Sequence, residues 1–224
     1  MATTPSLIEP SPAGGGWRGW YQRRGATLIN LTVAATLGGL MVWDARAHWL
    51  RHGLDYVQVA FVAQTVLLLV MILVRAAPQA VDRHLGHQAV ALAAFGSAAL
   101  FAKEPATASA AQHHAAVAVM MAANVLGAVT IVNLDRGFGI LIAQRRLATG
   151  GLYRVIRHPM YFTDLLLRVG LVLEVPTARN LALALGSGGL YVARALLEER
   201  FLVREPAYRA YQARVRWRLI PGLF

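Results

Sequence analysis

This chain encodes an all-α, polytopic bundle of membrane-crossing helices, and three features of its sequence say so. Apolar residues fill 57% of the 224 positions and mean hydropathy is +0.47, too apolar for an ordinary soluble domain. The apolar residues come in runs that approach the thickness of a bilayer. Arginine gathers in the short segments between those runs, where it sets membrane orientation. A net charge of +11 would suit nucleic acid, but this distribution serves a membrane and leaves nucleic acid no role. The chain has no cysteine, which excludes disulfides, thiolate metal sites and a cysteine nucleophile.

The segments follow in order. Residues 1–16, ending Ser11-Pro12-Ala13-Gly14-Gly15-Gly16, offer too little side chain to offset ordering entropy and read as a flexible tail. Residues 17–132 form the N-terminal transmembrane region. Its first span runs from Ala26 to Trp43, with Trp17, Trp20 and Tyr21 on one side and Trp43 and Trp49 on the other as interfacial belts. The second, Tyr56 to Val74, is broken only by Gln64 and Thr65. The third, Gln88 to Phe101, is short for a perpendicular crossing. The fourth, Ala115 to Val132, is rich in Ala and Gly, which let membrane helices approach closely. Asn124 inside it is expected to bond a neighbouring helix. Residues 133–224 form a C-terminal region: a polar segment, then Phe162 to Val175 and Leu181 to Leu197 as a helical hairpin joined by Pro176-Thr177-Ala178-Arg179-Asn180, then an amphipathic basic tail.

Counting arginine and lysine orients the bundle. With a cytoplasmic N-terminus, that face receives Arg18, Arg23, Arg24, Arg75, Arg83, Arg136, Arg145, Arg146, Arg154, Arg157 and the basic tail, against Arg46, Arg51, Lys103 and Arg179 on the other. The polar segment and the tail are then both cytoplasmic.

Two polar constellations stand out. Thr149 to Tyr161 packs turn-forming glycines, Tyr153, Arg154, Arg157, His158, Pro159 and Tyr161 between apolar runs. In isolation it is equally a helix start, with proline in the first turn and arginine at the headgroups. Glu198 and Glu199 end the last apolar helix, ahead of Arg200, Tyr208, Tyr211 and Arg214. Acids at a helix C-terminus oppose its dipole and need a cationic partner, either a nearby arginine or a ligand. The short hairpin returns this second cluster to the first. Asp164 and Arg168, spaced i and i+4 within an apolar helix, read as a mutually neutralising pair or as substrate contacts. His84 with His87 and His113 with His114 fall in loops on opposite faces, so no shared metal site is expected.

The run Gly150-Gly151-Leu152-Tyr153-Arg154-Val155-Ile156-Arg157-His158-Pro159-Met160-Tyr161, followed by Glu198-Glu199 and a tail bearing Tyr208, Tyr211, Arg214 and Pro221, resembles the isoprenylcysteine carboxyl methyltransferase family. Phospholipid methyltransferases share related motifs. Phe138-Gly139-Ile140 and Arg145-Arg146-Leu147 resemble bacterial members and imply a bacterial inner membrane. The likeness covers about the C-terminal half. Thr163 and Glu205-Pro206-Ala207 replace glycines usual in the family.

What the resemblance implies is a cytoplasmic pocket for S-adenosylmethionine, with a lipophilic acceptor arriving laterally from the bilayer lipids. The cofactor-binding set would be Gly150, Tyr153, Arg157, His158, Pro159, Tyr161, Glu198, Glu199, Tyr208 and Tyr211. Glu199 would also serve the reaction, with Arg214 and Arg218 orienting an anionic acceptor, and no metal is required. Asp164 is also similar to membrane sterol reductases that use NADPH. A non-catalytic scaffold, with the polar clusters as ion pairs, is the third reading.

Overall fold

The computed structural model describes residues 17–53, 56–74, 78, 80–82, 84–101, 109–134 and 137–224. The tail expected over 1–16 lies outside them, as do Arg75, Arg83, Lys103 and Arg136 of the charge count and the side chains of Trp17, Arg18, Trp20, Tyr21, Arg23, Arg24 and Arg51. Seven α-helices carry the described chain: α1 (Trp17–His52), α2 (Tyr56–Val74), α3 (Leu85–Gly96), α4 (Ala110–Leu134), α5 (Pro159–Glu174), α6 (Ala178–Leu202) and α7 (Pro206–Arg214).

Every expected apolar segment is helical, and most helices run past their apolar stretch. α1 continues beyond Ala26–Trp43 in both directions, and α6 passes through both glutamates. Backbone bonding ends a helix, whereas hydropathy marks only the part that lipid or core covers. By length and composition α4 and α6 are the two described helices able to cross a membrane; Gln58–Val74 and Leu85–Leu100 are shorter apolar stretches. α1, α2 and α4 leave Leu40, Trp43, Leu50, Val66, Leu73, Val125 and Val132 exposed, an apolar outer surface of the kind lipid covers.

Small residues set the closest approaches. A Cβ on Gly127 would stand 2.7 Å from Gln64 Nε2, so α2 rests directly on the α4 backbone there. On α5, a Cβ at Gly170 would collide with Met120 of α4 and lie 3.3 Å from the Ala116 carbonyl oxygen. α4 and α5 are antiparallel: His113 in the first turns of α4 pairs with Glu174 at the end of α5 at 3.0 Å, a partner the sequence does not announce. Asn124 departs from expectation. Its amide is buried, and neither polar atom has a hydrogen-bond partner among the described residues.

The hairpin joint behaves as its residues dictate. Pro176 cannot continue α5, and Thr177 caps α6 by accepting the Asn180 N–H at 3.1 Å. One feature corrects the purely helical expectation. Strands β1 (Ala80–Val81) and β2 (Ala143–Gln144) pair antiparallel, Ala80 opposite Gln144 and Val81 opposite Ala143. Gln88 extends this ladder with its side chain, Nε2 donating to the Ile142 carbonyl at 3.0 Å and Oε1 accepting the Ile142 N–H at 3.0 Å. Two residues per strand are too few to leave an alternating pattern.

Gly151 takes φ +54°, the left-handed region, to open a short 3-10 turn over Gly151–Arg154. A Cβ there would also press on the Asn133 amide at the end of α4. Gly151→Ala is expected to cost about 1–2 kcal/mol from backbone conformation, read as a lower midpoint in thermal unfolding of the detergent-solubilised protein.

Candidate functional site

The site is built where the 150–161 segment meets the tail. Gly150 and Gly151 turn the chain so that Tyr153 points inward and is buried. Its carbonyl accepts the Tyr211 hydroxyl of α7 at 2.8 Å. From there the segment runs beside the tail: Ile156 forms a parallel bridge with Trp217, Arg157 N–H donates to the Trp217 carbonyl at 2.9 Å, and His158 N–H donates to the Arg218 carbonyl at 2.9 Å. Pro159 then starts α5 in its first turn. The two polar constellations therefore share one hydrogen-bonded seam.

At its centre lies Glu199, 4% exposed. Oε1 is 2.8 Å from Arg157 Nε and 3.1 Å from His158 Nε2. Oε2 accepts from Arg218 Nε at 2.9 Å and Gln212 Nε2 at 3.3 Å. The Arg157 contact is an ion pair by distance, since Nε is off the line of a hydrogen bond, and Arg157 Nη1 reaches the Val215 carbonyl at 3.4 Å. Four cationic or amide groups thus converge on one carboxylate, which joins α5, α6, α7 and the tail.

Glu198, the next residue, turns the other way. One oxygen accepts the Tyr161 hydroxyl, and the side chain lines a cavity of about 120 Å³. Adjacent helix positions differ by about 100° in direction, and of the two glutamates Glu198 is the one that lines the cavity. Tyr153, Arg157, His158, Tyr161, Tyr208 and Tyr211 also line the cavity, together with Phe138, Gly139, Ile140, Arg145, Arg146, Asp164 and Arg194. His158 and Tyr161 stack with ring centroids 5.1 Å apart and an interplanar angle of 7°.

Burial pushes the hydroxyls of Tyr153, Tyr208 and Tyr211 upward, and the neighbouring negative charge of Glu198 or Glu199 adds to this. All three are therefore neutral phenols at physiological pH. Tyr208 Oη is buried with no partner among the described residues, so the cavity holds a polar group unsatisfied by the protein.

Other expected residues stand elsewhere. Gly150, Pro159 and Glu199 lie behind the cavity surface as its frame, and Arg218 is occupied with Glu199 and with the Phe224 ring 5.0 Å from its Cζ. Arg214 is exposed at the end of α7, away from the cavity. The Asp164–Arg168 spacing also resolves differently. Arg168, 2% exposed, donates to the Asp164 main-chain carbonyl at 2.7 Å and to Ser97 Oγ at 2.9 Å, while the Asp164 carboxylate accepts the Tyr191 hydroxyl at 2.6 Å. The five donors of a guanidinium allow Arg168 to be satisfied by carbonyl and hydroxyl acceptors on two helices.

Sequence reasoning missed Arg194 and Tyr191. The signal was there, since an arginine within an apolar helix carries the same cost that drew notice to Arg168. His84 and His87 stack at 4.1 Å beside Asp82, and among the described residues no group of three or more His, Asp or Glu is placed to hold a metal.

Residues 106–209 match the family model for phospholipid methyltransferases, a stretch that takes in α4, α5, α6 and the first turn of α7. No curated protein matches the chain. The match agrees with the membrane methyltransferase likeness of the two motifs. With two apolar helices of spanning length, it marks a membrane protein that carries the methyltransferase family segment.

Proposed function

We propose, from the phospholipid methyltransferase segment at 106–209, that this protein transfers a methyl group from S-adenosylmethionine to a lipophilic acceptor arriving from the bilayer. The observation that carries the reading is a cavity wall that holds both the Glu198 carboxylate and the unsatisfied Tyr208 hydroxyl. The chemistry of the wall fits such a ligand: a carboxylate for an ammonium or ribose, arginines 145 and 146 for a carboxylate, and the His158–Tyr161 stack for a sulfonium or adenine.

Bound there, S-adenosylmethionine would supply an electrophilic methyl carbon on sulfonium. Displacement at such a carbon needs alignment more than covalent help from the protein. The protein's part would be to fix that alignment. Tyr161 orients Glu198 through its hydroxyl, and Glu199 holds Arg157, His158 and Arg218 in place from behind. Phe138, Ile140 and Met160 give the cavity an apolar side that would exclude water and admit a lipid chain. The arginine asymmetry of the loops supports a cytoplasmic site, and the likeness of Phe138-Gly139-Ile140 and Arg145-Arg146-Leu147 to bacterial members supports a bacterial inner membrane.

Calorimetric titration of the detergent-purified protein tests the reading. S-adenosylhomocysteine should bind, and Glu198→Gln should weaken it about tenfold to thirtyfold, the loss of one charge-assisted contact, with thermal stability unchanged. Binding of NADPH and not of S-adenosylhomocysteine would overturn the assignment in favour of a reductase. Mass spectrometry of lipid extracts incubated with labelled methyl donor identifies the acceptor.

A further inference from the structure

Arg194 sits in α6 four residues before Glu198 and is 4% exposed. Its guanidinium joins three parts of the molecule. Nη1 donates to the Ala91 carbonyl of α3 at 3.2 Å. Nη2 donates to the Ile140 carbonyl at 2.5 Å and stands 3.5 Å from that of Gly139. Cζ lies 4.9 Å from the centroid of the Tyr161 ring.

Gly139 and Ile140 belong to the irregular stretch between α4 and β2, which forms one wall of the cavity. Irregular backbone at a buried surface needs donors for its carbonyls. A planar, five-donor fork can serve two segments and lie against an aromatic ring at once, which a lysine ammonium cannot reproduce. Tyr161 in turn holds Glu198. The contacts therefore run from the loop wall through Arg194 and Tyr161 to the acid that faces the ligand.

We infer that Arg194 is the positioning residue of this cavity, clamping the 137–142 wall to α3 and α6 and fixing the Tyr161 ring so that Glu198 presents its carboxylate to the methyl donor. The inference rests on the methyltransferase reading for its ligand, but the clamp can be measured without one. It acts through Tyr161 and the loop and touches no reacting atom.

The test uses the full chain in detergent, with Arg194→Lys and Arg194→Gln, and three readouts: thermal midpoint, hydrogen exchange by peptide, and affinity for S-adenosylhomocysteine. Glu198→Gln is the comparator. Both Arg194 variants should speed exchange in peptides covering 137–144 at least about tenfold while α4 peptides stay protected, as expected when a local unit loosens and the global fold does not. Affinity should fall about tenfold, in keeping with lost alignment, whereas Glu198→Gln should weaken binding and leave exchange unchanged. Arg194→Lys should not rescue either effect, since the fork and not the charge holds the wall.

Unchanged exchange at 137–144 in both variants would overturn the clamp. So would faster exchange spread evenly over the chain, while a loosened wall with undiminished affinity would overturn the positioning role. If the native protein bound no S-adenosylhomocysteine, the proposed function would fail, and the exchange measurement alone would still decide whether Arg194 holds the wall. Should Arg194→Gln not fold, Arg194→Lys carries the same two readouts.

Discussion

Glu199→Ala should destabilise the protein by about 3–5 kcal/mol, the cost of removing one partner from a buried ionic network. Its carboxylate bonds His158, Arg218 and Gln212 and forms an ion pair with Arg157. Without it, Arg157, 8% exposed, and His158, 7% exposed, lose a charged partner inside the structure, and Gln212 and Arg218 lose their side-chain tie to α6. Ligand affinity should fall by more than about a hundredfold as a consequence, because Tyr208 and Tyr211 are held by the same seam. Glu199→Gln keeps the shape but offers one acceptor and an amide donor that faces cations, so it should recover only part of the loss. The measurement is thermal unfolding together with S-adenosylhomocysteine titration. A Glu199→Ala protein with native stability would refute the architecture described for the site. The contrast with Glu198→Gln is the sharper test, since one substitution strikes the frame and the other the cavity surface.

Gly170→Leu should cost about 3 kcal/mol, the upper end for overpacking a close contact. A side chain at this point of α5 runs into Met120 and approaches the Ala116 main chain of α4. The Met120 side chain can swing aside, but the backbone of α4 cannot move without separating the two helices. The α4–α5 pair also carries the turn that displays Tyr153, through Asn133 against Gly151, so the separation should reach the site. A lower midpoint in thermal unfolding, with Gly170→Ala intermediate, is the expected series. Equal stability of the Leu variant and the parent would show that the interface yields.

Much of this was legible because it rests on local chemistry. The apolar runs located the helices, Pro176 and Thr177 located the hairpin joint, and acids at the end of α6 announced their need for cations, which Arg157 and Arg218 meet. What was hidden depends on direction and distance. Glu198 and Glu199 are the same letter side by side, and only the helix geometry tells which faces the cavity. Arg214 looked as suited to an acceptor as Arg218, yet it ends α7 on the outer side. The Asp164–Arg168 spacing implied a pair, but Ser97 and Tyr191, distant in sequence, compete for both partners. Arg194 is marked by its place within an apolar helix, but its role was hidden, because its acceptors are main-chain oxygens of Ala91 and Ile140 and carbonyls leave no mark in a sequence.

The seam between Tyr153–His158 and Tyr211–Arg218 joins residues 58 positions apart along the chain. During folding, α4, α5 and α6 can pack against one another before the tail docks into this seam. A chain at that stage would own its hydrophobic scaffold and both glutamates but lack Tyr208 and Tyr211 in the cavity wall and Gln212 and Arg218 on Glu199. Docking of the tail is thereby the step that completes the cavity wall, since Tyr208 and Tyr211 are the last of its lining residues in chain order.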